Sequence, residues 1–310
     1  MARTTTRQRD SVQVDRLFVS PNAFGDTWYV DTGSGNDSNS GLDPRSAFAT
    51  LDAARSASAA GDIIVIAPGT YTQTAAEEPL TPKANQTWMA AKPNGRGQPS
   101  VIITGTAEAT VVDVEVAGVV FEGIEFQADD DAVVQIVDIS ETATVKGVTF
   151  RNCWFNANGK TTVVGLNADD GTFIISGLYV TGCRFTQCDT GLKIGVKGFG
   201  QSMIEDNVFE CQLAADTGID LADTSEAGPT GWIIRNNDFT GALDGDADGT
   251  LAIKIAGTSN AIGVGLIHGN RMGDFAADSI TQDIMEEMIV ENYYGEANGA
   301  TGGTKITGGA

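Results

Sequence analysis

The 310-residue sequence predicts an all-β chain wound as a parallel solenoid, and three observations carry that expectation. The first is internal repetition. Seven segments (120–126, 149–155, 179–185, 203–209, 233–239, 266–272 and 288–294) each run from an apolar residue through small or polar residues to an aromatic or Met. The closing residues Phe126, Phe155, Phe185, Phe209, Phe239, Met272 and Tyr294 stand 29, 30, 24, 30, 33 and 22 positions apart. Spacings that differ by loop-sized amounts fit coils with a shared core and unequal turns. The second observation is apolar/polar alternation around a central Gly or Asn, a pattern that favours strand over helix. The third is a further strand column, 133–137, 163–167, 191–195, 218–222 and 252–256, following each closing segment. In that column Gln135, Gly165, Lys193, Asp220 and Lys254 are expected to point outward.

Each element then has a place. Residues 1–27 form an arm carrying Arg3, Arg7, Arg9 and Arg16 against Asp10, Asp15 and Asp26, locally basic on an acidic chain. A helix over about 46–58, with Phe48, Leu51 and Ala54 on one face, would cap the first coil and protect its open strand edge. The coils occupy residues 28–294. Ahead of each closing aromatic runs a column of Ile124, Cys153, Cys183, Asn207, Asn237, Asn270 and Asn292. Stacked at about 4.8 Å, the Asn residues can form an amide ladder, and Asn also tolerates the left-handed backbone of a sharp corner. Residues 278–288 could be read as helix from Ile280, Ile284 and Met288, but a 22-residue coil leaves room only for a strand. Residues 295–310 form a Gly/Thr-rich tail that cannot pack a core.

The stretch 28–71 adds a resemblance. It runs from Trp28-Tyr29-Val30-Asp31 through a Gly/Asn/Asp loop and the helix entry Pro44 to Leu51. It continues to Gly61-Asp62 and Gly69-Thr70-Tyr71. This order resembles the opening of pectin-lyase-like right-handed parallel β-helix proteins, a family that includes polysaccharide lyases and hydrolases and also viral tailspikes. The resemblance implies a right-handed parallel β-helix of roughly eight or nine coils with a short N-terminal capping helix.

Composition narrows the function. Forty-one Asp and Glu against 19 Lys and Arg give a net charge of -22, which repels phosphate backbones and anionic membranes. No nucleic-acid or membrane partner is therefore expected. The polar start MARTTTRQRD lacks the apolar core of an export signal. Cys153, Cys183, Cys188 and Cys211 have no CxxC spacing and only one His accompanies them, so reduced thiols are expected and zinc is not.

The chemical candidates are few. A glycosidase needs two carboxyls across one groove, and the second column offers only Asp220, set between Lys193 and Lys254. That order reads more readily as an opposite-charge ladder. Polygalacturonase-type members of the family imply paired aspartates, a G-H-G turn and an R-I-K strand; here His268-Gly269-Asn270 and Ile253-Lys254-Ile255 stand without the aspartates. Asp244, Asp246 and Asp248, followed by Gly249, match the start of a calcium loop, although Ile255 holds the position of its bidentate Glu. Asp129, Asp130 and Asp131 make an earlier turn equally acidic.

These features lead to the expectation of a noncatalytic virion structural protein, a capsid-decorating or tail spike. It would be made in the host cytoplasm, sit on the virion surface and attach to capsid or tail proteins through its arm. The homotrimer expectation comes from the resemblance to viral spikes. The alternatives are a polysaccharide lyase or hydrolase such as a tailspike depolymerase, and an adhesin that binds a host surface glycan. No cofactor is expected beyond calcium.

Overall fold

The computed structural model describes residues 25–73, 79–92, 99–105, 110–139, 144–169, 174–195, 200–211, 216–222, 231–240, 251–255, 265–273, 280–282, 289–290, 292–295 and 304–306. Three parallel sheets stack like strand on like strand to form a right-handed parallel β-helix. The first sheet runs from Thr27–Val30 to Ile289–Val290 and holds ten strands. The second runs from Gly69–Gln73 to Asn292–Gly295, and the third from Thr110–Val114 to Ile280–Gln282. Within 278–288 the described residues Ile280–Gln282 form a strand paired with Leu251–Ile255, and the rest of that stretch lies outside the described residues.

Each closing segment is two strands with a corner between them. In the segment 120–126, Val120–Glu122 belongs to the first sheet and Ile124–Ala128 to the second. The residue at the corner is left-handed in coil after coil: Gly123, Asn152, Gly182, Asp206, Asn236 and Gly269 all have φ between 50° and 71°. The left-handed position therefore falls one residue before the ladder column, on residues that bear this backbone at low cost. The ladder asparagines themselves have another task.

That task is to satisfy the polar backbone that the corner leaves inside. The Asn207 amide nitrogen Nδ2 donates to Asn237 Oδ1 at 3.0 Å and to the Val180 carbonyl at 2.9 Å. Asn237 repeats this toward Asn270 and Ile204, and Asn270 toward Asn292 and Ile234. Each Oδ1 also accepts the backbone N–H of the residue one coil back, as Asn207 does from Cys183 at 2.8 Å. All four asparagines are buried. Cys183 and Cys153 continue the column, their thiols donating to the Phe150 and Phe121 carbonyls.

Behind the corner, Phe126, Phe155, Phe185, Phe209, Phe239, Met272 and Tyr294 share one register, which extends back to Ile103 and Tyr71. The rings of Phe155, Phe185, Phe209 and Phe239 stack in succession at 4.6–4.8 Å, within 9° of parallel. The third sheet makes room for them with Gly165, Gly191 and Gly218. A Cβ on Gly191 would lie 2.8 Å from the Phe209 ring and 2.7 Å from the Gly218 carbonyl oxygen. One coil before Gly165 this position is Ile136, and there Phe126 and Phe155 tilt to 34° and separate to 5.7 Å. One coil after Gly218 it is Ala252, and the closing residue changes to Met272, whose flexible thioether yields where a flat ring cannot.

Both ends are finished. The helix Leu51–Ala57 is shorter than the sequence predicts, because Thr50 is its N-cap and accepts from Ala53 N–H. Phe48 precedes the helix and bridges to Val30. The opening motif is a set of hydrogen bonds: the buried Asp62 carboxylate accepts from Asp26 N–H, Ala59 N–H and the Trp28 indole. Tyr71 donates its hydroxyl to the Ala67 carbonyl. At the far end Thr304–Ile306 pairs antiparallel with Asn292–Gly295, so part of the tail covers the last edge of the second sheet.

Gly191→Ala should lower stability by about 1–3 kcal/mol through overpacking against the ring stack. Adding Phe209→Met should recover part of that loss, as the natural Ala252–Met272 pair does. Urea unfolding of the single and double variants measures both, and a double variant no better than Gly191→Ala would refute this account of the glycine column.

Candidate functional site

The outward face of the third sheet carries the largest set of chemically active side chains on consecutive rungs. Its alternation is set by the apolar-x-apolar triplets at 112–114, 137–139, 166–168, 192–194, 219–221 and 253–255. The outward residue of each triplet is, in order, Asp113, Asp138, Asn167, Lys193, Asp220 and Lys254, all in register. Lys193, Asp220 and Lys254 thus occupy the column predicted for them. Gln135 and Gly165 do not. Gln135 lies three residues before Asp138, in the row of Thr110 and Val164, and Gly165 turns toward the Phe185 ring. The face therefore has three column carboxylates rather than Asp220 alone. Asp113 and Asp138 were legible had V-D-V and V-D-I been aligned on I-D-L.

The contacts along this ladder are specific. Lys254 Nζ lies 3.0 Å from Asp220 Oδ2, while Lys193 reaches back to Asp169 at 3.1 Å instead of forward to Asp220. Asn167 Nδ2 donates to Asp138 Oδ1 at 2.8 Å and to Gln135 at 3.2 Å, and Gln135 donates to Thr110. Asp113 and Asp138 sit on adjacent rungs, about 4.8 Å apart along the solenoid. That spacing is close to the roughly 5 Å of paired glycosidase carboxyls. Yet Asp138 is only 3% exposed, and Asp220 Oδ1 is buried behind its lysine partner. Asp113 and Asp220 as whole residues are partly exposed.

The outward face of the second sheet is mixed aromatic and ionic. Arg184 lies over the Trp154 ring, 4.9 Å from its centroid, and forms a two-nitrogen contact with Glu210 Oε1. The Trp154 indole donates to Thr186. Glu125, 5% exposed, accepts from Asn156 at 2.9 Å; burial raises its carboxyl above the usual range, opposed by that hydrogen bond and by Arg184. A separate half-open pocket lined by Thr32, Thr50, Asp52, Tyr71 and Gln73 sits against the N-terminal cap and contains none of the ladder residues.

The other sequence candidates divide. The calcium-loop residues Asp244, Asp246 and Asp248, and the arm residues Arg3, Arg7, Arg9 and Arg16, lie outside the described residues. Among the described residues no three His, Cys, Asp or Glu side chains converge as a metal site, and no helix is long and apolar enough to cross a membrane. In the 129–131 turn, Asp129 accepts from Asn158 and Asp131 pairs with Lys160 at 3.3 Å. The four cysteines are free and buried.

Three stacked parallel sheets with an internal amide ladder define a right-handed parallel β-helix. The chain belongs to the family described as a protein of unknown function (DUF1565), whose model matches residues 33–302. No curated protein matches it. Among solved structures it is similar to the pectate lyase Pel9A, with 18% identity over 86% of this chain and 68% of that one, at a TM-score of 0.56. It is also similar to the deglycosylated pectin methylesterase from Aspergillus niger, with 14% identity over 87% and 84% and a TM-score of 0.57. Pectin methylesterase PemA from Erwinia chrysanthemi gives 14% over 82% and 80%, at 0.53. At these identities the shared property is the fold.

Two outcomes follow for titratable groups. Because Glu125 holds its proton more tightly folded than unfolded, ionising it costs stability as pH rises from about 4 through its raised folded value. Glu125→Gln should therefore gain on the wild type between about pH 4 and 7 in urea midpoints; a variant that falls behind would show that Arg184 outweighs burial. Burial also pushes the Cys188 thiol up to about 12 and raises those of Cys183 and Cys211. An aromatic disulfide reagent should find almost no reactive thiol in the native chain and all four after unfolding.

Proposed function

We propose that this chain is a noncatalytic structural β-helix, a spike displayed on a virion and anchored to capsid or tail proteins through residues 1–27. One observation carries the noncatalytic part: Asp138 is buried and held by Asn167, and Asp220 is paired with Lys254, so these two carboxylates serve the register of the face. The locally basic arm supports attachment on a chain of net charge -22. A homo-oligomer, a trimer by analogy with viral spikes, belongs to the same reading. Calcium at Asp244, Asp246 and Asp248 would be an accessory to that role.

A second reading has its own support. Asp113 and Asp138 on adjacent rungs are the kind of carboxyl pair that glycan hydrolysis uses, and the similar structures include a pectate lyase and pectin methylesterases. On that reading the chain is a polysaccharide-active enzyme, or an adhesin that retains glycan without cleaving it.

Incubation with acidic and neutral polysaccharides separates these readings. The structural role predicts no new reducing ends, no unsaturated products and no methanol release, and Asp138→Asn then changes stability alone. Turnover in the wild type that falls at least about a hundredfold in Asp138→Asn would establish the enzyme instead. Recovery of the chain in purified particles, lost on removing residues 1–27, tests the anchor.

A further inference from the structure

Where the strand Trp154–Asn156 leaves the second sheet, the chain turns through Ala157, Asn158, Gly159 and Lys160. The Lys160 N–H closes this turn by donating to the Ala157 carbonyl at 3.0 Å. Asn158 and Gly159 both have left-handed backbone, with φ of 54° and 74°, and both are exposed. Asn followed by Gly is the pair in which a side-chain carboxamide is most open to attack by its own main chain, because Gly has no Cβ to shield its nitrogen. The sequence holds three such pairs, at 94–95, 158–159 and 298–299, and the first and last lie outside the described residues.

The coils on either side of this turn hold both reacting groups. The Gly159 nitrogen, the attacking atom, donates its hydrogen to Gln187 Oε1 at 2.9 Å. Gln187 belongs to the following coil and is itself left-handed, with φ 58°. The Asn158 amide nitrogen, the leaving atom, donates to Asp129 Oδ1 of the preceding coil at 3.2 Å. The Asn158 N–H is held by Asn156 Oδ1 at 2.9 Å. In left-handed backbone ψ is about +50°, which sets the next nitrogen opposite the side chain, so attack waits for the turn to open. The hydrogen bonds that keep the turn closed therefore act as a brake.

We propose that Asn158 is a spontaneous deamidation site whose rate is set by its clamp between Gln187 and Asp129. When the turn opens, the Gly159 nitrogen bonds to the Asn158 side-chain carbonyl carbon and gives up its proton. The bond from that carbon to Nδ2 breaks, and the nitrogen leaves with the proton as ammonia. Water then opens the five-membered imide at either carbonyl, giving Asp or isoaspartate at 158 without oxidant or enzyme. The new carboxylate lies beside Asp129 in a corner that already holds Asp130 and Asp131. A donor to Asp129 has become a like charge, so the contact that tied this turn to the preceding coil is lost. Isoaspartate also adds a carbon to the main chain, which breaks the turn's alignment with the coils on either side.

Peptide mapping by mass spectrometry, after incubation of the full chain in mildly alkaline buffer, tests the site and its brake. Conversion at 158, read as the mass change from amide to acid, should be slow in the folded wild type and fastest in the urea-unfolded chain. Gln187→Ala should speed it about three- to tenfold in the folded chain, the shift in an opening equilibrium that one lost hydrogen bond produces. The pairs at 94–95 and 298–299 are the internal control and should keep their wild-type rates. If they accelerate as well, Gln187→Ala has loosened the whole fold, and Asp129→Ala, which frees the other end of the clamp, replaces it with the same expectation. Asn158→Asp, the finished product, should melt below the wild type. No conversion at 158 in the unfolded chain overturns the site. A folded wild type that converts as fast as the unfolded chain, or variants that convert no faster than the folded wild type, overturn the brake.

Discussion

Parallel in-register stacking governs everything else in this molecule. Each residue of a coil lies about 4.8 Å from its counterpart in the next, so a column must be made of residues that tolerate their own kind as neighbours. Phe on Phe, Asn on Asn and Gly on Gly meet that condition, by ring stacking, amide exchange and absence of bulk. A charged column meets it only by alternation, as Asp220 and Lys254 do. Asp113 beside Asp138 is the departure, and Asn167 follows on the next rung to donate to the second carboxylate.

The same constraint explains how the columns depend on one another. The stacked rings of Phe185, Phe209 and Phe239 each face a glycine of the third sheet. Where Ile136 intrudes, the rings tilt. The Phe column of one sheet and the small-residue column of another are one packing unit, and the amide ladder closes the corner beside it. Roughly one coil's worth of sequence must therefore agree at three separate positions.

Much of this was legible in the chain because stacked columns are sequence repeats. The Phe series, the Asn series and Lys193-Asp220-Lys254 could be written down before any coordinates, as could the capping motif around Asp62 and Tyr71. The corner inside each closing segment was harder to see. Strands of three residues, such as Val120–Glu122, are too short for alternation to separate two strands from one. Asp113 and Asp138 were missed because Gln135 sits at the centre of an equally apolar run, and counting from the wrong centre moves the column by three residues. Accessibility, which decides whether a carboxylate can act, depends on what covers a face and is written in no local pattern.

The amide column also has a direction. From Asn207 to Asn270 each carboxamide donates to the Asn of the next coil and accepts from the coil before, the Cys183 N–H heads the series, and Asn292 receives its last link. The coils are therefore modules with a head and a tail. A coil bearing Asn at this position could be inserted anywhere below Cys183 and join the chain of donors and acceptors. A coil bearing Cys inserted there would cut the series in two, leaving the amide above it without its acceptor. The order of exchangeable parts in this solenoid is set by which side chain each coil offers at that single place.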